Sequence, residues 1–567
     1  MQRNIFSYCL LLLAISLLAA CASKTPKELN LIPNNASVMV SINTGLVQTK
    51  LSKAGISADS IVRKLIHIDT THANLMQQYN DLLKAGIDWK NSVTIFRTTK
   101  VYPNKSFSNF TNVIIGITDS AKLSAYLSKI DYLKGRDIHQ EKNYAYIQMD
   151  GDGIISWNKQ DVILTVQQYT EQPLGLFPDS IMHVNQPDAI SKVDELHKEV
   201  NRFYNLSSSA SLGAIPLVQS LFKTAADGYF YNTTTNALNT FNTGMLQLPK
   251  LADLLNNNIT TATFNFDAGQ IAANTNFYPN RLMKAILETY KSGKIKTGLI
   301  EHYPSKNIDM AMLFSFNPKI IDGILQQLDV APLVDGFLDK AGIPASAIYE
   351  AFTGDVAVVL SDLNLKKNNP SKNNWGKLFM NLCIGNTASF HKIMDKTAES
   401  GWVVKQNNTY TAGKLMEAMN ITLTCDDKNM IITNDTALLK TYKAGNAPIA
   451  FNDDILKQMK GGQTFFYGDI DKVIRALNDD STQTNVAIQH TFKDMIIKGE
   501  GFDGTASKGT YLIRMQNAQQ NSLVSILQLF PYIAEQMQKN RNAKLKNPDD
   551  ANESIFNVPF SSRLGSL

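Results

Sequence analysis

The residue patterns in this sequence that could do chemistry are short, and each lacks the context that its chemistry needs. Residues 499–504 read Gly-Glu-Gly-Phe-Asp-Gly, the spacing with which a glycine-rich loop holds a dinucleotide pyrophosphate. Such a loop must open a helix whose N-terminus meets the phosphates. The element predicted next is instead a strand, over 511–513. The pattern therefore predicts a hairpin loop and no nucleotide cofactor.

Nucleophile and metal motifs are also incomplete. Residues 389–392 (Ser-Phe-His-Lys) have the Ser-x-x-Lys spacing of penicillin-binding enzymes, but the Lys-Thr-Gly element, here 296–298, precedes it instead of following it. His67 and His72 are five residues apart, which does not place two metal ligands on one helical face. No Gly-x-Ser-x-Gly, His-Glu-x-x-His or Walker A pattern occurs. We therefore predict no catalytic residue, no metal site and no cofactor, and a protein that is not an enzyme.

Two aromatic runs are the remaining candidates for ligand contact. Tyr229 and Tyr231 lie in one strand-like run, and Phe465 and Tyr467 lie in a second run at the equivalent place. Alternating aromatics in a strand ordinarily fill a core on one face and form a cross-strand ladder on the other. The pattern favours the core, and a ligand-binding face remains the alternative.

The elements that must position these residues occur twice along the chain. A strand followed by an amphipathic helix over 112–129 has a counterpart over 379–396, and Lys-Ala-Gly-Ile occurs before a strand at both 84–87 and 340–343. Six such matches in the same order predict two homologous halves, 31–300 and 301–540, followed by a C-terminal tail over 541–567. Strand, helix and then several short strands predict an α+β fold with largely antiparallel sheets in each half.

Composition excludes several classes of protein. The chain has 567 residues, of which 44% are apolar and 19% charged, and its formal net charge is +5. This composition is globular, and it excludes collagen, coiled coil and polytopic membrane protein. A charge so small and so dispersed gives no reason to expect nucleic acid as a partner.

The N-terminus predicts where the protein is placed. Arg3 precedes an apolar stretch that is too short to span a bilayer comfortably, and the stretch closes on Leu-Ala-Ala before Cys21. This closing segment resembles a bacterial lipobox. The resemblance implies a signal peptide over 1–20, a lipidated tether over 21–30 and attachment to the lipid bilayer through acylated Cys21. An uncleaved N-terminal anchor is the alternative. Ala22 after the cysteine favours the outer membrane, and the absence of an acidic run over 24–28 favours its periplasmic face over the cell surface.

Two cysteines remain in the predicted mature chain. Cys383 and Cys425 both lie in strand-like runs, and export would place them where a disulfide is permitted. Spacing alone does not show whether they are within reach of each other. They either form a disulfide or remain two buried thiols.

The start of the first half carries a family resemblance. Residues 31–42 contain the pattern Ile-Pro-x-x-Ala-Ser-Val-x-Val-Ser, and residues 354–362 read Gly-Asp-Val-Ala-Val-Val-Leu-Ser-Asp. Together with the lipobox and short tether, these stretches resemble the Bacteroidetes lipoproteins grouped as domain-of-unknown-function family 4836. The resemblance implies a compartment and an architecture, but no activity and no site residue.

These observations favour a membrane-anchored envelope lipoprotein that binds a partner without catalysis. The partner would be an unknown protein, a small molecule or a glycan, held in a cleft between the halves or on an outer face. A structural scaffold subunit of an envelope complex is the first alternative, and it predicts a large exposed apolar patch. A hydrolase acting on envelope material is the second, and it requires a concave site with a strongly perturbed carboxylate or histidine.

Overall fold

The computed structural model describes residues 25–57, 60, 75–102, 106–130, 133–149, 152–170, 192–235, 249–365, 375–407, 409–477 and 483–546. The signal peptide predicted over 1–20 and the lipidation predicted at Cys21 lie outside these residues. So does the predicted tail beyond residue 546.

Strands account for much of the described chain, and every pair with a resolved register is antiparallel. The strands are β1 (Val38–Asn43), β2 (Ser92–Val101), β3 (Phe107–Gly116), β4 (His139–Gln140), β5 (Ala145–Gln148), β6 (Gly153–Trp157), β7 (Asp161–Thr170), β8 (Gly228–Thr233), β9 (Ile259–Asp267), β10 (Gln270–Tyr278), β11 (Ile308–Ser315), β12 (Phe352–Ser361), β13 (Lys377–Ile384), β14 (Val403–Gln406), β15 (Thr409–Ala412), β16 (Thr422–Cys425), β17 (Asn429–Thr433), β18 (Thr464–Asp469), β19 (Phe492–Phe502) and β20 (Ser507–Met515).

Helices connect and cover these strands. They are α1 (Thr44–Lys53), α2 (Leu75–Leu83), α3 (Ser120–Leu127), α4 (Lys192–Tyr204), α5 (Pro216–Leu221), α6 (Pro249–Leu255), α7 (Arg281–Thr289), α8 (Lys319–Gln327), α9 (Ala331–Lys340), α10 (Ala345–Glu350), α11 (Thr387–Glu399), α12 (Lys414–Ala418), α13 (Thr436–Ala444), α14 (Asp453–Met459), α15 (Ile470–Leu477), α16 (Gln483–Thr491) and α17 (Ser522–Lys546), with short 3-10 turns at Lys27–Leu31, Ser208–Ala210, Leu212–Ala214 and Thr297–Leu299. Helix α17 continues six residues into the segment predicted as a tail.

Polar side chains cap the N-termini of several of these helices. Asp119 accepts hydrogen bonds from the backbone N–H groups of Ala121 and Lys122 at the start of α3. Asn386 does the same for the N–H of Ser389 in α11. Such caps satisfy amide groups that have no partner inside the helix, so the strand-to-helix turns at these two points are encoded locally.

The described residues belong to two compact units. Unit 1 comprises the described residues within Met1–Met245, Ile259–Asn265 and Ile533–Leu567, and unit 2 comprises those within Leu246–Asn258 and Phe266–Tyr532. Unit 2 therefore begins well before residue 301, the predicted start of the second half. The physical reason is β10, which pairs with β20 along its length, from Gln270 opposite Arg514 to Phe277 opposite Ser507.

In unit 1 the sheet has the strand order β9-β8-β1-β2-β3-β7-β6-β5-β4. One face of its central strands packs against α4, where the rings of Phe96 and Phe203 meet edge to face at 5.4 Å. This core also contains Met39, Phe110, Leu196, Val200, Tyr229 and Tyr231. These side chains lie on one face of the sheet, because successive strand residues alternate between faces. On the opposite face, a second core packs Leu123 and Leu127 of α3 against Ile147, Ile155 and Trp157 of β5 and β6.

In unit 2 the sheet has the strand order β10-β20-β19-β18-β11-β12-β13-β17-β16-β15-β14. Its main core lies between one face of the central strands and helices α13 and α14, and contains Leu313, Val359, Phe379, Leu438, Ile455, Met459, Phe465 and Ile496. A smaller core joins α11 to β14–β17 through Phe390, Met394, Tyr410 and Leu423. The α+β class and the antiparallel sheets predicted from the sequence are confirmed.

The strands of the two units are paired in the same order. Strand β1 lies between β2 and β8, and β11 lies between β12 and β18. The other pairs correspond one to one: β2–β3 with β12–β13, β3–β7 with β13–β17, β4–β5 with β14–β15, β5–β6 with β15–β16, β6–β7 with β16–β17, and β8–β9 with β18–β19.

Candidate ligand-binding faces of the two units

The aromatic residues singled out in the sequence lie in or against the two cores. Tyr229 and Tyr231 are each 2% exposed and Phe465 is fully buried, while Tyr467 is half-buried against the core of unit 2. The Tyr229 hydroxyl donates to the Thr224 carbonyl at 3.0 Å, which satisfies its polar end inside the protein. Burial raises the pKa of Tyr231 and Tyr467. Tyr229, Tyr231 and Phe465 are therefore core residues, and as such they offer no face to a ligand.

Cys383 and Cys425 are free, buried thiols. Cys383 lies on β13 opposite Asn429, and Cys425 lies on β16 opposite Met430, so β17 separates them. Neighbouring strands are about 4.8 Å apart, which places these Cα atoms beyond the range that a disulfide bridges. The disulfide considered from the sequence is not formed, and two buried thiols are present instead.

The other sequence motifs lie in ordinary structural positions. Gly499 and Gly501 are part of β19, and β20 follows after a short turn, so the glycine-rich pattern forms a hairpin as predicted. Lys296, from the Lys-Thr-Gly element, forms an ion pair with Asp355 at 2.7 Å. Within the described ranges, no group of three or more His, Cys, Asp or Glu side chains is arranged to hold a metal ion.

The sheet of unit 1 has a second apolar face, opposite its core. Directly paired residues form an apolar row across the strands, here called the unit 1 row: Ala262, Phe230, Val40, Ile95, Val113, Leu164 and Ile155. Ile95, near the middle of this row, is 45% exposed. A second row beside it contains Ile42, Val93, Ile115 and Val162. At its β7 and β6 end this face is covered, because Ile155 belongs to the second core of unit 1 and Val162 and Leu164 pack against that core. The part of the two rows outside the second core lies mainly on β8, β1, β2 and β3.

Unit 2 has the same feature at the equivalent strands. Its apolar row, the unit 2 row, consists of Tyr511, Ile497, Phe466, Met312, Val358 and Met380. The pairing continues to Ile432, which packs against the smaller core, and to Leu423, which belongs to that core. Met312, on the strand equivalent to β1, is 36% exposed. Met310 and Met495 are on the same face two residues from this row, because strand side chains alternate. Methionine is flexible and polarizable, so this face is suited to ligands of variable shape.

One charged residue lies on the second face of unit 1 within β8, β1, β2, β3 and β7. Arg97 follows Ile95 by two residues on β2 and is paired with Val38 on β1 and Thr111 on β3. Its side chain is exposed, and among the described residues it has no carboxylate partner. Partial burial lowers the pKa of the Arg97 guanidinium. The guanidinium of Arg97 therefore lies beside the unit 1 row.

Buried charges also occur at the ends of the core strands. In unit 1, burial raises the pKa of Asp161 to about 7, and the nearby Glu28 carboxylate adds to the effect. The pKa of Glu28 is raised as well, mainly by burial. In unit 2, burial opposes ionisation of Asp355, but hydrogen bonds from Lys296 and Thr353 outweigh it and lower its pKa. Asp355 is thus neutralised by a lysine, whereas Asp161 lies near a second carboxylate.

A third feature is a groove among helices α8, α9 and α10 of unit 2. It has a volume of about 430 Å³ and is lined by Lys319, Asp322, Asp335, Asp339, Pro344, Ala345, Ser346, Tyr349 and Glu350. On α9, Leu333 is 71% exposed and Phe337 is 75% exposed. These two side chains are four residues apart, so they lie on one face of the helix. Exposed apolar pairs of this size favour contact with another molecule.

Residues 29–498 of the chain match one protein family, described as Domain of unknown function (DUF4836). The chain belongs to this family. The match covers most of the sequence and confirms the resemblance seen in residues 31–42 and 354–362. The DUF4836 description assigns no activity and no site residue, so the function must be argued from the features above.

Similarity to other proteins is distant. No curated protein matches the chain. Among solved structures, crystal form IV of TP0453 is similar over 47% of this chain and 86% of that chain, with 10% identity and a TM-score of 0.25. Crystal form I of TP0453 is similar over 48% of this chain and 88% of that chain, with 8% identity and a TM-score of 0.23. These scores are too low to carry an argument about the DUF4836 chain.

Sequence reasoning missed the second faces, although a signal was present. Residues 38–42 and 310–314 carry apolar side chains at both odd and even positions, which is typical of strands with two apolar faces. In the described part of this DUF4836 chain, no helix is long and apolar enough to cross a membrane.

Proposed function

We propose that this chain is an outer-membrane envelope lipoprotein, anchored through acylated Cys21 on the periplasmic face, that binds an apolar partner without catalysing a reaction. The binding surfaces are the second faces of the two sheets. The observation that carries the proposal is the pair of apolar rows, which cross the equivalent strands of unit 1 and unit 2. The anchor and its location rest on the sequence around Cys21.

The exposure of these rows supports binding rather than a purely structural role. Single exposed apolar residues are ordinary on protein surfaces, but contiguous apolar patches mark interaction sites. Ile95 and Met312 each lie in a row whose paired neighbours on both sides are apolar. Removing this area from water on binding contributes about 25 cal/mol for each Å².

We also propose that the two units arose by internal duplication. Support comes from the eight strand pairs that correspond in order, and from the apolar rows, which use corresponding strands. A duplicated binding face would give the protein two related sites. The differing composition of the two rows, aliphatic in unit 1 and methionine-rich in unit 2, supports different preferences at these sites.

The absence of catalysis is part of the proposal. Glu28 and Asp161, the carboxylates of unit 1 whose pKa values are raised, are buried. A general acid or base must come within hydrogen-bonding distance of its substrate, and buried side chains of this kind do not. This favours binding over hydrolysis of envelope material.

A structural scaffold subunit of an envelope complex is the second candidate. Leu333 and Phe337 favour it, because they form an exposed apolar pair beside an acidic groove in unit 2. Such a surface is suited to a protein partner with apolar and basic side chains. The two candidates therefore use different surfaces and are separable by experiment.

The test is site-specific photo-crosslinking in living cells of a host that makes the protein. A photoreactive amino acid replaces Ile95, Met312 or Phe337 in the full chain, with the exposed Lys53 of α1 as the control position. Crosslinks from positions 95 and 312, but not from 53, are expected. If only position 337 gives crosslinks, and these join one protein at near-equal stoichiometry, the result would contradict the binding function and support the scaffold function.

A further inference from the structure

We propose that the groove among α8, α9 and α10 of unit 2 binds a linear polyamine, an aliphatic chain that carries two or more ammonium groups. The carboxylates of Asp322, Asp335 and Asp339 hold the ammonium groups, and the hydroxyl of Tyr349 accepts a hydrogen bond from one of them. This inference goes beyond the proposed function, because it concerns neither of the two sheet faces.

The groove has an excess of negative charge. Four of its lining residues carry a carboxylate, and one, Lys319, carries an ammonium group. Lys319 is paired with Glu350 at 3.9 Å. Within the described residues, none of the other three carboxylates, those of Asp322, Asp335 and Asp339, forms an ion pair with a lysine or an arginine. These three charges are therefore available to a cation from solution.

The three carboxylates are spaced along the groove. Asp335 and Asp339 lie one turn apart on α9, where Cβ atoms four residues apart are separated by about 5–6 Å and like charges are unfavourable. Asp322 on α8 and Asp335 both lie within electrostatic reach of Tyr349, so carboxylates from two helices approach the same point. The Gln326 amide donates to Asp322 Oδ2 at 2.8 Å, which orients this carboxylate without neutralising it. Ammonium groups separated by three or four methylene groups match charges that are spaced in this way.

Tyr349 of α10 has a buried side chain whose hydroxyl is without a partner at the groove. The residue is 8% exposed, and within the described part of the chain its hydroxyl makes no hydrogen bond. Burial raises the pKa of this hydroxyl, and the carboxylates of Asp322 and Asp335 add to the effect, so the phenol is neutral at pH 7. A neutral phenol oxygen accepts a hydrogen bond from an ammonium group. Because a buried polar group without a partner is costly, a ligand that donates to Tyr349 is favoured.

The size of the groove and the spacing of its carboxylates select the kind of cation. Its volume of about 430 Å³ is in the range of small-molecule sites, and Pro344 and Ala345 provide apolar wall for methylene groups. A metal ion requires several ligands around one point, and no such group of three or more His, Cys, Asp or Glu side chains exists in the described ranges. A monoamine neutralises one carboxylate of the three. A linear polyamine places separate charges at separate carboxylates, and it is therefore the ligand class.

The experiment compares spermidine with butylamine, which carries one ammonium group, by titration calorimetry at low salt on the full mature chain. The variants are Asp335→Asn with Asp339→Asn, Tyr349→Phe, and the control Asp427→Asn, at an exposed position of unit 2 outside the groove. Wild type is expected to bind spermidine at least about tenfold more tightly than butylamine. The double variant should lose at least about tenfold in spermidine affinity, Tyr349→Phe about threefold, and Asp427→Asn none. Thermal melting checks folding, and spermidine should raise the melting temperature of wild type more than that of the double variant.

The other results overturn the inference in distinguishable ways. Equal spermidine binding by wild type and the double variant, or no binding by wild type, would show that the groove is not a polyamine site. Tighter binding of Mg²⁺ than of spermidine, with competition between the two, would assign the groove to a metal ion. Tighter binding of tetralysine than of spermidine, lost in the double variant, would assign it to a basic segment of a protein and support the scaffold candidate. The photo-crosslinks from positions 95 and 312 do not depend on the groove, so they test the proposed function separately.

Discussion

The carboxylate of Asp161 is buried within electrostatic reach of the carboxylate of Glu28, and this proximity helps to raise the pKa of Asp161 to about 7. Asp161 begins β7, and Glu28 lies in the 3-10 turn at Lys27–Leu31 that packs beneath the same sheet. Two buried acids close to each other are costly when both are ionised. The pair therefore makes the stability of unit 1 depend on pH.

The first prediction concerns Asp161→Asn. Because the folded-state pKa of Asp161 is raised, the folded protein keeps a proton on this carboxyl group at pH values where the unfolded chain has released it. The free energy of unfolding of wild type is therefore undiminished by Asp161 below about pH 3.8, and it falls as the pH rises through about 7. The variant has no such loss. Its free energy of unfolding, relative to wild type, should rise by at most about 4 kcal/mol between pH 4 and pH 8.

Urea unfolding at both pH values measures this difference. Asp137→Asn, at an exposed position of the same unit, is the control and should follow wild type at both values. A constant difference between Asp161→Asn and wild type across this range would show that the pair is not coupled to folding.

The second prediction concerns a buried ion pair in unit 2. Arg514 on β20 donates from Nε to Asp494 Oδ1 at 2.5 Å and from Nη2 to Asp494 Oδ2 at 2.6 Å, joining two adjacent strands. Asp494→Ala leaves a partly buried guanidinium without this partner. We expect a loss of about 3–5 kcal/mol in the free energy of unfolding.

Denaturant unfolding at pH 7 checks this value against a matched surface pair. Asp471→Ala removes the partner of Arg475 on α15, where the pair is exposed, and should cost about 0.5 kcal/mol or less. The double change Asp494→Leu with Arg514→Met should recover much of the loss, because no buried charge is left alone. Equal effects at Asp494 and Asp471 would contradict the prediction.

The third prediction concerns the thiols. In a chain that starts at Ala22, unfolding without reductant should expose two reactive thiols per molecule, from Cys383 and Cys425. Burial raises the pKa of Cys425 to about 12, with Asp426 adding to the effect, so its folded thiol should react slowly at pH 7. Thiol titration with a chromogenic disulfide measures both states. Finding no thiol in the unfolded chain would show that Cys383 and Cys425 form a disulfide. It would contradict the position of β17 between β13 and β16.

Part of this fold is predictable from the sequence, because it depends on residues that are close together in the chain. Asp119 and Asn386 lie between a strand and an amphipathic helix, and both cap that helix. Tyr229 and Phe465 alternate with less buried residues on their strands, and both lie in cores. Such features depend on residues a few positions apart, so the α+β class and the family resemblance follow from sequence.

Long-range relationships were not predictable in this way. Pairing of β10 with β20 joins residues more than 200 positions apart, and nothing in either strand specifies the other. The separation of Cys383 from Cys425 depends on the register of β17, which their spacing does not encode. Strands with apolar residues on both faces indicate that each face meets apolar material. They do not distinguish a covered face from one that is open to a ligand.

The last prediction separates the scaffold surface from the fold. Leu333→Ser with Phe337→Ser replaces two exposed side chains of α9, so the free energy of unfolding should change by about 1 kcal/mol or less. Phe390→Ala, in the smaller core of unit 2, is the contrasting control and should cost about 3–5 kcal/mol. Urea unfolding measures both. If α9 serves a scaffold, the double variant should also lose protein partners that copurify with wild type from crosslinked envelopes. Retention of every partner by a fully folded double variant would remove the scaffold candidate and leave the sheet faces as the binding surfaces.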